Sequence, residues 1–129
     1  MVTHYIPSMD FAFAEQFTNE WLDAWNSHDL ERILSHFTDD VVFTSPVAIR
    51  VLEGSDGVIR GKAALRHYWG IGLERIPDLH FELESIYLGV RTVVINYRNQ
   101  AGALVNEVLT FDGPLVATGH ATYETGPTA

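Results

Sequence analysis

Glu107 and His120 are the two residues of this sequence best suited by type and spacing to move a proton. Each sits in an alternating, strand-like run, and Asp112-Gly113-Pro114 between the runs is short enough for an antiparallel hairpin. With Asp112-Gly113 as a two-residue turn, Phe111 pairs with Pro114 and Glu107 faces Thr118. His120 is then the diagonal neighbour of Glu107 on the same face, and a two-step change of register puts it directly opposite. In a desolvated hollow the carboxylate would hold the imidazole's tautomer, and His120 would act as general base or acid near neutral pH. The alternative is that Glu107 points into water and His120 is a strand histidine with satisfied hydrogen bonds.

Other chemistries find less support. The 129 residues include no cysteine, which excludes disulfides, thiolate nucleophiles and Cys-ligated metals. His4, His28, His36, His67 and His80 form no His-x-x-x-His or His-Glu-x-x-His array, so no metal site and no cofactor is expected. Ser45 has no Ser-His-Asp pattern around it and reads as a strand-end hydrogen-bonder. Tyr68, Tyr97 and Tyr123 can offer hydroxyls to a ligand oxygen, or bury their rings with the tips at the surface. Seventeen acidic against eight scattered basic residues give a net charge of −9, a poor match to phosphate backbones or anionic lipid heads. Nucleic acid and membrane are therefore not expected as partners. The first seven residues lack the basic and apolar regions of a signal peptide, and no apolar run reaches the ~20 residues of a membrane helix, so a cytoplasmic location is expected.

These side chains must be positioned by regular elements. The length suits one domain spanning 1–129, and 47% hydrophobic with 19% charged residues is ordinary for a globular chain. Ser8 or Asp10 can cap a first helix in which Phe11, Ala14, Phe17, Trp21, Ala24 and Trp25 form one apolar stripe. Asn26-Ser27-His28-Asp29 interrupts it, and Asp29 caps a short second helix carrying Leu30, Ile33, Leu34 and Phe37. Asp39-Asp40 reads as a turn, followed by a β-rich run, 41–45, closed by Pro46. The stretch 49–61 carries Gly54, Gly57 and Gly61 and reads as a loop or short hairpin, with 54–61 a mobile lid at a pocket rim rather than a phosphate loop. A third helix follows Gly61 and stops at Pro77-Asp78. Runs 79–88, 92–100, 103–111 and 115–123 then alternate like the strands of a meander. Helices first and strands after is the α+β pattern.

Trp25-Asn26-Ser27-His28-Asp29-Leu30, Phe37-Thr38-Asp39-Asp40-Val41-Val42-Phe43, Gly61-Lys62-Ala63-Ala64-Leu65-Arg66, Pro77-Asp78-Leu79 and Phe111-Asp112-Gly113 stand in an order that resembles the nuclear transport factor 2-like superfamily, in its SnoaL-like polyketide cyclase and ketosteroid isomerase branch. The resemblance implies three helices packed on a strongly curved, mostly antiparallel sheet that forms a cone with an internal pocket. It implies a pocket lined by Phe17, Trp21, Trp25, Tyr68 and Trp69 from helices, and by Phe43, Ser45, Tyr97, Leu109 and Thr118 from strands. It also implies a homodimer formed through the sheet.

The catalytic residues of the superfamily's enzymes carry over incompletely. Where ketosteroid isomerases have a tyrosine on the first helix this chain has Trp21, and where they have a carboxylate base it has Ser45. Only their protonated acid has a match, in Glu107. The Arg-x-Asp pair of epoxide-hydrolase relatives is absent from Asn96-Tyr97-Arg98-Asn99-Gln100. The expectation is a pocket for a small hydrophobic compound with cofactor-independent acid–base chemistry of cyclase or isomerase type. The alternative is a non-catalytic ligand-binding or dimerisation module of the same fold.

Overall fold

Asp10 opens the first helix, α1 (Phe11–Asn26), by accepting a 2.7 Å hydrogen bond from the Phe13 N–H. The structure, a computed structural model, describes residues 10–125, so Ser8, the other candidate cap, and His4 lie outside the described residues. The stripe Ala14, Phe17, Trp21, Ala24 and Trp25 is buried, as three- and four-residue spacing requires. The helix ends where His28 takes a φ of 56°, a left-handed backbone that a right-handed helix does not continue. Asp29 then caps α2 (Leu30–Leu34) by accepting from the Arg32 N–H.

Eight further elements follow: β1 (Phe37–Thr44), α3 (Pro46–Val51), β2 (Val58–Arg60), α4 (Lys62–Arg75), β3 (Glu82–Gly89), β4 (Thr92–Arg98), β5 (Leu104–Asp112) and β6 (Leu115–Tyr123). The strands form one open six-stranded sheet in the order β2-β1-β6-β5-β4-β3. Every pairing is antiparallel except that of β1 with β6. Helices α1 and α4 pack on the inner face, where Val93, Ile95, Tyr97, Val105, Leu109, Phe111 and Val116 join the helical stripes in one core.

Four sequence expectations change. The described residues contain four helices rather than three, because Pro46 both closes β1 and opens α3. Its missing N–H and fixed φ suit the first helical position, and Ser45 caps the turn by accepting from the Val47 N–H at 3.1 Å. Asp39-Asp40 is an exposed part of β1, at the irregularity where pairing with β6 slips between Phe37 and Val42. The stretch 49–61 finishes α3 and forms β2, which pairs with β1.

The fourth change is the register of the last hairpin. Gly113-Pro114 occupies the turn, with Asp112 opposite Leu115. A bulge between Thr110 and Phe111 then adds one residue on β6, so that Thr110 faces Thr118 and Glu107 faces Ala121. The displaced turn alone preserves the faces, but the bulge makes the total shift odd and sends His120 to the opposite side from Glu107.

Gly119 lies at a close approach within this hairpin: a Cβ there would stand 2.9 Å from the Phe43 ring and 3.1 Å from Leu109. Gly119→Ala is expected to destabilise the protein by about 1–3 kcal/mol through overpacking. Urea unfolding checks it: the midpoint should fall with the slope unchanged. An unaltered midpoint would show that both side chains move aside freely.

Candidate active site

Alternation along β4, β5 and β6 turns Tyr97, Glu107, Ala121 and Tyr123 toward the helices, where they meet Trp21, Trp25, Tyr68 and Trp69 around a cavity of about 250 Å³. The wall is a mesh of rings. Trp25 and Trp69 meet edge to face at 5.0 Å, Phe43 lies 5.1 Å from Trp69, and Phe81 lies 4.3 Å from Tyr97. Phe81 is held there from a distance in sequence. The Asn26 side chain donates to the Phe81 carbonyl at 3.0 Å and accepts from the Phe81 N–H at 2.8 Å. The adjacent His28 Nε2–H donates to the Leu79 carbonyl at 2.9 Å. The Asn-Ser-His-Asp break after α1 is thus a backbone clamp that shapes the cavity wall.

Glu107 is the buried acid of this cavity, 6% exposed. Its diagonal partner across the strands is Tyr97, whose hydroxyl donates to Oε2 at 3.0 Å, while Oε1 takes no hydrogen bond from the described residues. Burial pushes the Glu107 carboxyl up to about 7, against the pull of the Tyr97 hydrogen bond. Burial and the nearby Glu107 charge push the Tyr97 hydroxyl well above its ordinary range, so it serves as a hydrogen-bond donor and keeps its proton. Tyr123 is pushed up to about 12, first by burial and then by Glu107. The Tyr68 hydroxyl, also raised by burial, donates to Ser45 Oγ at 3.3 Å.

His120 is not part of this group. It lies on the outer face of the sheet, with Nδ1 2.7 Å from the Thr44 hydroxyl. Thr118 shares that face, where its hydroxyl meets that of Thr110. Phe17 is buried further along α1, packed edge to face on Phe111 and His36, and Leu109 is buried beside Gly119; neither lines the cavity. Trp21, Trp25, Phe43, Ser45, Tyr68, Trp69 and Tyr97 all do. From the stretch 49–61, only Val51 lines the cavity, together with Val47 earlier in α3; no glycine of that stretch does.

The sequence reading missed Phe81, Arg75, Asn99 and Gln100 as lining residues, and Tyr123 stood there only as one hydroxyl among three. Pro77-Asp78-Leu79 marked the end of a helix but carried no sign that the chain beyond it would be clamped to Asn26. Among the described residues no group of three or more His, Asp or Glu side chains is disposed to hold a metal, and no helix is long and apolar enough to cross a membrane.

Four helices on an open six-stranded sheet, in this order, are the architecture of the nuclear transport factor 2-like superfamily. The chain belongs to the SnoaL-like domain family within it, whose profile matches residues 18–126. A SnoaL-like protein from Burkholderia thailandensis is 42% identical, with 90% of this chain and 98% of that chain covered at a TM-score of 0.85. A cystatin-like-fold protein from Methylobium petroleophilum shares the fold at 18% identity, covering 94% of this chain and 81% of that one with a TM-score of 0.72. A protein from Sinorhizobium meliloti, described as a candidate polyketide cyclase, shares it at 13% identity and a TM-score of 0.68, over 83% of this chain and 94% of that one. No curated protein matches the chain.

Proposed function

We propose that the cavity binds a small, largely apolar carbonyl compound and that Glu107 moves a proton on it without a cofactor, as a cyclase or isomerase does. The observation that carries this reading is a buried carboxyl, raised to about 7, with one oxygen held by Tyr97 and the other free in a ring-walled cavity. A group of that pKa is divided between its two forms near neutral pH, the condition under which it can both take and return a proton. In the ionised form Oε1 takes a proton from the carbon beside the substrate carbonyl, and the electron pair of the broken C–H bond moves onto the carbonyl oxygen as an enolate. The Tyr97 hydroxyl steadies the carboxylate through Oε2. The protonated Glu107 then returns its proton at a new position, or the enolate carbon attacks a second carbonyl within the same molecule to close a ring and Glu107 gives its proton to the alkoxide oxygen that forms. The surrounding rings exclude water, which strengthens each polar contact made inside. The description of the Sinorhizobium relative as a candidate cyclase agrees with this class.

Binding without turnover is the second reading. It is favoured by Ser45, whose hydroxyl is engaged in capping α3 where isomerase relatives carry a basic carboxylate. Deuterium uptake from heavy water by a panel of small ketones separates the two. The first reading expects uptake beside the carbonyl with the native protein and its loss in Glu107→Gln. Uptake that persists unchanged in that variant would sink the assignment, and retention of a ketone without any uptake would establish the second reading.

A further inference from the structure

The polar groups lining the cavity divide into those already engaged and those left over. Tyr97 is engaged by Glu107, Tyr68 by Ser45, and the Asn99 side-chain oxygen by the N–H groups of Ala101 and Ala103. Two donors remain. The Trp25 indole N–H is buried, with the residue 7% exposed, and has no acceptor. The Arg75 guanidinium makes no hydrogen bond or ion pair among the described residues. Both groups can only donate. Gln100 adds a buried, unpartnered Oε1 on an amide that presents donor and acceptor side by side.

Burial sets the depth of each. Arg75 is exposed, and Asn99 and Gln100 are half-buried, whereas Trp21, Trp25, Tyr97 and Glu107 are buried. The opening is thus the end of α4 with the turn after β4, and it carries an unpaired cation. The interior is rings. On a chain of net charge −9 such an arginine is where an anion is drawn. The cavity, about 250 Å³, falls below the roughly 300–1,000 Å³ of sites for drug-sized ligands, so the apolar body is small.

We propose that the ligand is a small aryl or short-chain carboxylate, its carboxylate paired with Arg75 at the mouth and its apolar body among the rings. This rests on the reading of the cavity as a small-molecule site and narrows its substrate class. An oxygen carried further along the body would meet the Trp25 N–H.

All three tryptophans of the chain line the cavity, so their fluorescence reports occupancy. The probes are 4-phenylbutyrate and its near-isostere 4-phenylbutanamide. The acid is expected to bind about fivefold tighter than the amide, the factor that one partly exposed charge pair supplies. That advantage should shrink at high salt, vanish in Arg75→Gln, return in part in Arg75→Lys and survive in Glu107→Gln. Equal affinity of the two probes, or an advantage that persists in Arg75→Gln, overturns the anion assignment while the cavity reading stands. Failure of both probes to perturb the fluorescence overturns both. Arg75 is exposed and unpaired, so Arg75→Gln should keep the native unfolding midpoint.

Discussion

Glu107→Gln is expected to slow proton exchange in the cavity by about 10²–10⁴-fold, the span that a positioned general base supplies. The same substitution has a consequence that needs no substrate. The carboxyl titrates near 7 when folded, against 4.5 ordinarily. Below pH ~4.5 it is protonated in both states and its contribution to stability is fully present. Between those values the folded chain keeps a proton that the unfolded chain has released, so stability falls as pH rises, and it levels off above about 7. At about 1.4 kcal/mol per pH unit across that window, the native protein should lose about 3 kcal/mol that the glutamine variant retains. Urea midpoints measured for both proteins from acid to neutral pH check this. Parallel curves would mean that Glu107 titrates as an ordinary solvent-facing carboxyl, and the proposed chemistry would go with it.

Trp21→Ala should produce a larger structural loss, about 3–5 kcal/mol. Trp21 is 1% exposed and touches Trp25, Phe81 and Tyr97, so its removal takes away the ring that three others lean on. The void would open into the existing cavity. Tyr97 would also lose the contact that steadies it beneath Glu107. Trp21→Phe should recover most of the stability. Chemical unfolding decides the matter, and a loss below about 1 kcal/mol would show that the neighbouring rings close over the gap.

Local periodicity carried much of the fold. The stripe from Ala14 to Trp25, the Asp29 cap and the alternation of β4 and β5 follow from side-chain spacing alone, and each reappears in the structure, whereas Phe11, counted with the stripe, is exposed in the first turn. The inward rings were legible for the same reason. What escaped was set between segments. A bulge of one residue in the last hairpin reverses the face of His120, and nothing in Leu115 to Tyr123 announces it. The diagonal partnership expected for Glu107 does exist, but with Tyr97 on the preceding strand, because that register carries no bulge. Arg75 and Phe81 follow Trp69 and Gly72 closely in sequence, but no periodic pattern runs through Pro77-Asp78 to mark them, and the Asn26 clamp is what holds Phe81 at the cavity.

The sheet places β1 beside β6, so a strand finished at Thr44 waits for a neighbour ending at Tyr123. During synthesis the helices can form early, but β1 lacks its central neighbour and the cavity lacks Ala121 and Tyr123 until the last strand has left the ribosome. A nascent chain of this protein therefore has no closed cavity, and nothing that fills the cavity can guide its folding until that strand is in place.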